Sequence, residues 1–115
     1  MRIDWSKIKI FLRPGITDMR KQINGLSIIT EADMKLNPLS GNLFLFCNRK
    51  RQILKCLYWD KNGFCLWQKR LECDKFPWPE NEETAYELSK SELNMLLSGI
   101  DFFHKHKKLS FNGVS

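Results

Sequence analysis

Residues 42–79 constrain the fold more than any other stretch, because they hold the longest apolar runs, three of the four tryptophans, all four cysteines and the densest basic cluster. Leu43-Phe44-Leu45-Phe46-Cys47 is a continuous apolar run of strand length, and residues 53–59 and 64–71 form two more, rich in β-branched and aromatic side chains. Between the last two, Asp60-Lys61-Asn62-Gly63 offers an acceptor at the first turn position and a glycine free to take positive φ at the last. That combination predicts a hairpin with a three-residue loop and a bulge at Gly63, pairing Asp60 with Phe64. The region reads as a small antiparallel sheet built around this central hairpin.

The loop sets the register. With it, Trp59, Leu57, Lys55 and Ile53 share a face with Cys65, Trp67, Lys69 and Leu71, while Tyr58, Cys56 and Leu54 share the other with Leu66, Gln68 and Arg70. Lys55, Lys69 and Arg70 then approach one another at the end away from the turn, and Arg49-Lys50-Arg51, in the preceding connection, lies at that same end. Like charges opposite one another are destabilising unless an anion or a carboxylate answers them. One reading is a solvated loop beside a salt-bridged sheet edge. The other makes Arg49, Lys50, Arg51, Lys55, Lys69 and Arg70 one basic face that meets nucleic-acid phosphate.

A chain of 115 residues is long enough to bury a core without staples. Its 43% hydrophobic and 12% aromatic content belongs to folded proteins, not disordered ones. No apolar run approaches the length of a membrane span, and Met1-Arg2-Ile3-Asp4-Trp5 lacks the apolar stretch of a signal peptide, so the cytoplasm is the default location. The cysteines at 47, 56, 65 and 73 contain no Cys-x-x-Cys pair, so reduced, partly buried thiols are expected. A zinc site completed by His104 or His106 is the minor alternative. No metal and no cofactor is expected.

Charge is divided along the chain. Residues 7–75 carry 14 basic and 6 acidic side chains, whereas residues 76–104 carry Lys90 against six acidic ones. A basic body with an acidic C-terminal third suggests two different contact surfaces.

In chain order, residues 7–12 alternate weakly and predict a strand that stops at Arg13-Pro14-Gly15. Thr17 reads as a helix N-cap, with Asp18 on the positive end of the dipole and Met19, Ile23 and Leu26 on one face; Gly25 weakens the middle and Asn37-Pro38 ends the segment. Phe76-Pro77-Trp78-Pro79 must be extended, since each proline restricts its predecessor. Residues 85–88 offer a short strand. Ser89-Lys90-Ser91-Glu92 is a capping box; Leu93, Leu96, Leu97 and Ile100 give the helix an apolar stripe, and Gly99 is placed to close it. Residues 1–104 are expected to form a single domain. The remaining 105–115 read as a flexible basic tail, and the stretch Phe102-Phe103-His104-Lys105-His106-Lys107-Lys108 as either the start of that tail or a phosphate-contacting arm.

Several of these blocks occur together, in order, in one known family. Thr17-Asp18-Met19-Arg20-Lys21, Gly25-Leu26 and Ser40-Gly41-Asn42-Leu43-Phe44-Leu45-Phe46 are followed by Lys55, Tyr58-Trp59-Asp60, Gly63, Cys65-Leu66 and Lys69-Arg70-Leu71-Glu72. Phe76-Pro77-Trp78-Pro79 and Leu97-Ser98-Gly99-Ile100-Asp101 complete the set. On these residues the chain resembles the small accessory protein of the second reading frame of the IS-sixty-six family of bacterial insertion sequences, called TnpB there and unrelated to the RNA-guided nuclease of the same letters. The resemblance runs from about Ile8 to Phe102. It implies a transposition factor that works with a separate transposase and supplies no catalytic residues itself.

The expected architecture is α+β, with an antiparallel sheet covered on one face by the Thr17 and Ser89 helices. The expected partners are the transposase and other proteins of the element, together with DNA; the alternative is a pure protein-interaction subunit or regulator without DNA binding. An enzyme is not expected: Asp18, Asp60 and Glu72 are the only carboxylates with any context for a metal-dependent nuclease, and each has a structural role at a helix start, at a turn or beside Arg70. No Gly-rich phosphate loop, nucleophile elbow or His-Glu-x-x-His motif is present.

Overall fold

The computed structural model describes residues 5–80 and 85–100. Its strands are β1 (Ile10–Leu12), β2 (Leu43–Cys47), β3 (Ile53–Asp60), β4 (Gly63–Arg70) and β5 (Tyr86–Leu88); its helices are α1 (Ile23–Ala32) and α2 (Lys90–Leu97). The five strands form one sheet in the order β4-β3-β2-β1-β5. The α+β class is as expected, and most pairings are antiparallel. β1 and β2 instead run parallel, with Ile10, Phe11 and Leu12 opposite Leu43, Phe44 and Leu45. A parallel pair needs a crossover, and α1 supplies it.

All five residues of β2 are buried. A strand buried on both faces needs cover on both, and the two helices divide the task. Phe44 and Phe46 point to the side where Leu26 and Met34 pack with Leu57. Leu43, Leu45 and Cys47 point to the other, where Leu93 and Leu96 pack with Leu54, Cys56, Phe76 and Trp78. The expectation of both helices on one face is therefore corrected. The β3/β4 hairpin is also not central: β4 is an edge strand and β2 holds the middle.

The hairpin loop is tighter than expected. Asp60 pairs with Gly63 and Trp59 with Phe64, leaving Lys61 and Asn62 as a two-residue loop. Lys61 takes the left-handed conformation (φ 55°), and Gly63 does not. One residue of slip turns every β4 side chain to the opposite face. Phe64, Leu66, Gln68 and Arg70 accordingly share the α1 face with Leu57 and Lys55, while Cys65, Trp67 and Lys69 share the α2 face with Tyr58, Cys56 and Leu54.

Helix α1 starts six residues after Thr17. Thr17 is buried and its amide donates to the Cys47 carbonyl (2.8 Å), which holds the segment against the end of β2 instead of opening a helix. Asp18 turns back on Arg20, accepting from its backbone amide and its guanidinium. At α2 the capping box forms in both directions: Ser89 Oγ accepts from the Glu92 amide, and Glu92 Oε1 accepts from the Ser89 amide. Gly99 closes the helix at φ 79°. The segment Phe76-Pro77-Trp78-Pro79 joins no strand ladder; Phe76 and Trp78 are buried, and Trp78 Nε1 donates to the Arg13 carbonyl (2.9 Å). His104, His106 and the basic tail lie outside the described residues.

Candidate nucleic-acid interface

The connection from β2 to β3 is built by Asn48. Its Oδ1 accepts from the Gln52 and Ile53 amides (both 3.0 Å), and its carbonyl accepts from the Arg51 amide (3.1 Å). A side chain that mimics a backbone acceptor is the standard use of asparagine in a turn. Arg51 carries the positive φ that closes the turn (59°), which leaves Arg49 and Lys50 exposed at its tip. Among the described residues no carboxylate pairs with either.

The six residues expected to share a face do not. Lys55 is buried at 2% exposure, opposite Phe46, and its Nζ donates to the Met19 and Lys21 carbonyls (2.8 and 3.0 Å). Burial pushes its pKa below the usual lysine value. Lys69 stands on the other side of the sheet, where its Nζ donates to the Leu97 carbonyl at the end of α2 (2.9 Å). Carbonyls at a helix C-terminus lack intrahelical partners and favour a cation, so this lysine caps α2. The Arg51 guanidinium pairs with Glu80, and Arg70 Nε lies 3.1 Å from Glu72 Oε1. Lys55 and Lys69 are thus separated by the one-residue slip at the hairpin loop, and of the six only Arg49 and Lys50 remain together without a partner among the described residues.

A third basic residue, Arg20, joins them. Ile16, Thr17, Asp18, Met19 and Arg20 form one wall of an open groove whose other wall is Asn48, Arg49, Lys50 and Gln52. The Thr17 amide bonded to Cys47 brings the walls together, and Lys55, reaching under the sheet, ties the Met19–Lys21 backbone to β3. Arg20 is 92% exposed in its side chain. Asp18 is the carboxylate in the groove, and the Arg20 guanidinium and amide beside it hold its pKa down at about 2. Arg20 escaped the sequence reading as a site residue although it stands in the Thr17–Lys21 block; contact between that block and the 48–52 turn depends on the parallel placement of β1 against β2.

The thiols fall into two kinds. Burial pushes the Cys47 and Cys56 pKa values up to about 12, whereas Cys65 is half-buried and Cys73 exposed. Among the described residues no group of three or more His, Cys, Asp or Glu side chains is placed to hold a metal ion. No described helix is long and apolar enough to cross a membrane.

Fold and site together describe a small α+β protein presenting a basic groove formed by two turns. The chain belongs to the family described as IS66 Orf2 like protein, whose model matches residues 8–107. It is 41% identical over 97 residues to the uncharacterized protein y4hO of Sinorhizobium fredii (strain NBRC 101917 / NGR234), covering 84% of each chain. It is 30% identical over 101 residues to the uncharacterized protein y4jC of the same strain, covering 88% of this chain and 86% of that one. No solved structure matches it. Membership implies an accessory protein of an insertion sequence.

Proposed function

We propose that this chain is a non-catalytic accessory factor of insertion-sequence transposition that contacts DNA backbone through Arg49, Lys50 and Arg20 and acts beside the element's transposase. The observation that carries the reading is the difference between the basic residues. Lys55, Lys69, Arg51 and Arg70 each have a carbonyl or carboxylate partner, whereas Arg49 and Lys50 extend from a rigid turn with none among the described residues. Cations held on a stiff turn and left unneutralised are suited to phosphate oxygens, which they contact without reading base sequence. Arg20 stands across the groove but shares its charge with Asp18, so it contributes less.

The test is a salt titration of binding to random duplex DNA and to the element's terminal sequences. Affinity falls with a log–log slope of roughly −0.9 per phosphate neutralised. Replacing Arg49 and Lys50 together by glutamine should reduce the slope by about 1.8 if each meets one phosphate. Unchanged slope in that variant, or no binding at low salt by the unaltered chain, refutes the reading. Transposase association that survives without DNA binding would then favour a pure protein-interaction subunit, with the acidic region from Glu80 to Glu92 as its first candidate surface.

A further inference from the structure

The sheet ends on one side in β5, three residues long, and on the other in β4, which is eight residues long and contains no proline. Natural proteins blunt free edges with shortness, proline or charge. β4 uses only the last device, and only at one end, where Lys69 and Arg70 stand. Within the hairpin, Asp60 and Gly63 flank the two-residue loop, and the Leu71 amide donates to the Gln52 carbonyl. Antiparallel pairs alternate between hydrogen-bonded and open positions, so Cys65, Trp67 and Lys69 bond inward to β3. The amides and carbonyls of Phe64, Leu66, Gln68 and Arg70 then face outward, and no strand pairs with them among the described residues. Trp67, near the centre of this edge, is 44% exposed. It lines an apolar pocket of about 210 Å³ together with Leu43, Leu45, Cys56 and Tyr58.

We infer that β4 pairs antiparallel with β4 of a second copy, about a twofold axis through Trp67, joining two sheets into one. Three properties of the edge select this occupant and register. Centred on Trp67, all four outward residues find partners inside the strand: Phe64 with Arg70 of the second copy and Leu66 with Gln68, each pair exchanging two hydrogen bonds. A centre one residue to either side forfeits one of these pairs or takes it from the loop. Charge agrees. The antiparallel arrangement sets Lys69 across from Cys65 of the second copy, so the two Lys69 residues lie ~14 Å apart along the strands, beyond the screening length of about 8–10 Å. Parallel pairing would instead stack Lys69 and Arg70 on their own copies. The third property is apolar: Trp67 meets its twin at an open pair, where antiparallel side chains approach most closely and an aromatic pair gains most. The interface is isologous and closes on itself, so it makes a dimer and not a fibre.

The test measures the full chain by analytical ultracentrifugation over a range of concentrations, in enough salt to suppress non-specific charge effects. Unaltered protein should approach twice the 13.7 kDa protomer mass as concentration rises. Gln68→Pro removes one outward amide and no bond to β3, so it should shift the mass to that of the protomer while far-UV circular dichroism stays unchanged. If that variant does not fold, Trp67→Cys in a Cys73→Ser background decides the register. At an open antiparallel pair the Cα atoms lie ~4.5 Å apart, within disulfide range, so it should cross-link on mild oxidation while the Cys73→Ser background alone does not. Protomer mass at every concentration overturns the inference. A dimer that resists Gln68→Pro, or that forms without cross-linking at residue 67, overturns it equally, because its interface then lies elsewhere.

Discussion

Lys55 offers the clearest separation between a binding residue and a structural one. Its ammonium donates to the carbonyls of Met19 and Lys21, and its stem lies buried opposite Phe46. Truncation to alanine removes hydrogen bonds from a charged donor, each worth about 1.5–3 kcal/mol, and about three methylenes of buried stem at about 0.8 kcal/mol apiece. Release of the ammonium from a desolvating site offsets part of that loss, for a net cost of about 4 kcal/mol. Lys55→Met keeps the stem and loses only the bonds, so its cost is about 1–3 kcal/mol. In urea, with a slope of about 2 kcal/mol/M, the alanine variant should unfold roughly 2 M earlier at unchanged slope. The pH dependence has a definite sign. A folded pKa below the unfolded 10.5 means that the unfolded chain binds more protons in the interval between the two. The cost of the buried charge is fully present below the folded pKa and disappears as pH rises toward 10.5, so wild type should gain stability over Lys55→Met in that alkaline window. A loss below 1 kcal/mol in Lys55→Ala, a flat or opposite pH trend, or weakened DNA binding with stability intact would each refute a structural role.

Two further outcomes follow from the groove and the thiols. Asp18→Asn frees the Arg20 guanidinium, so DNA affinity at moderate salt should rise and the salt slope steepen by up to about 0.9, read in the same titration; weaker binding would show that Asp18 positions Arg20 instead of competing for it. Cys47 and Cys56, buried and with pKa values pushed up to about 12, should resist a thiol reagent at pH 8 until the chain unfolds, while exposed Cys73 reacts at once; a mass spectrum of the labelled native protein reads this directly.

Local signals were legible where the chemistry is local. The capping box at Ser89 and Glu92 and the closing Gly99 depend on residues within one helix, and all are present as the sequence predicts. The start of α1 was not legible, because the competing use of Thr17 is a hydrogen bond to Cys47, thirty residues away in the chain. The two-sided cover of the sheet could have been read from Leu43-Phe44-Leu45-Phe46-Cys47 alone. An unbroken apolar strand has no solvent face, and a strand, a helix and such a strand in succession is the order of a parallel crossover unit. The hairpin signals, which favour an all-antiparallel sheet, say nothing of the parallel β1/β2 pair.

The site failed at one turn. Placing positive φ at Gly63 is the expected use of a glycine, yet Lys61 carries it, and Gly63 has no contact that excludes a side chain. That single residue reverses β4, sends Lys69 to the end of α2 and leaves Lys55 on the α1 face. Lys55 itself held a clue independent of the turn. It sits between Leu54 and Cys56 in a strand flanked on both sides by others, and a lysine there must satisfy its ammonium internally or disrupt the core. A count of basic residues weighs Lys55 and Lys50 equally. Inner-strand position separates them: one lysine braces the loop that forms a wall of the groove, and the other stands exposed at the tip of a turn, with no partner among the described residues.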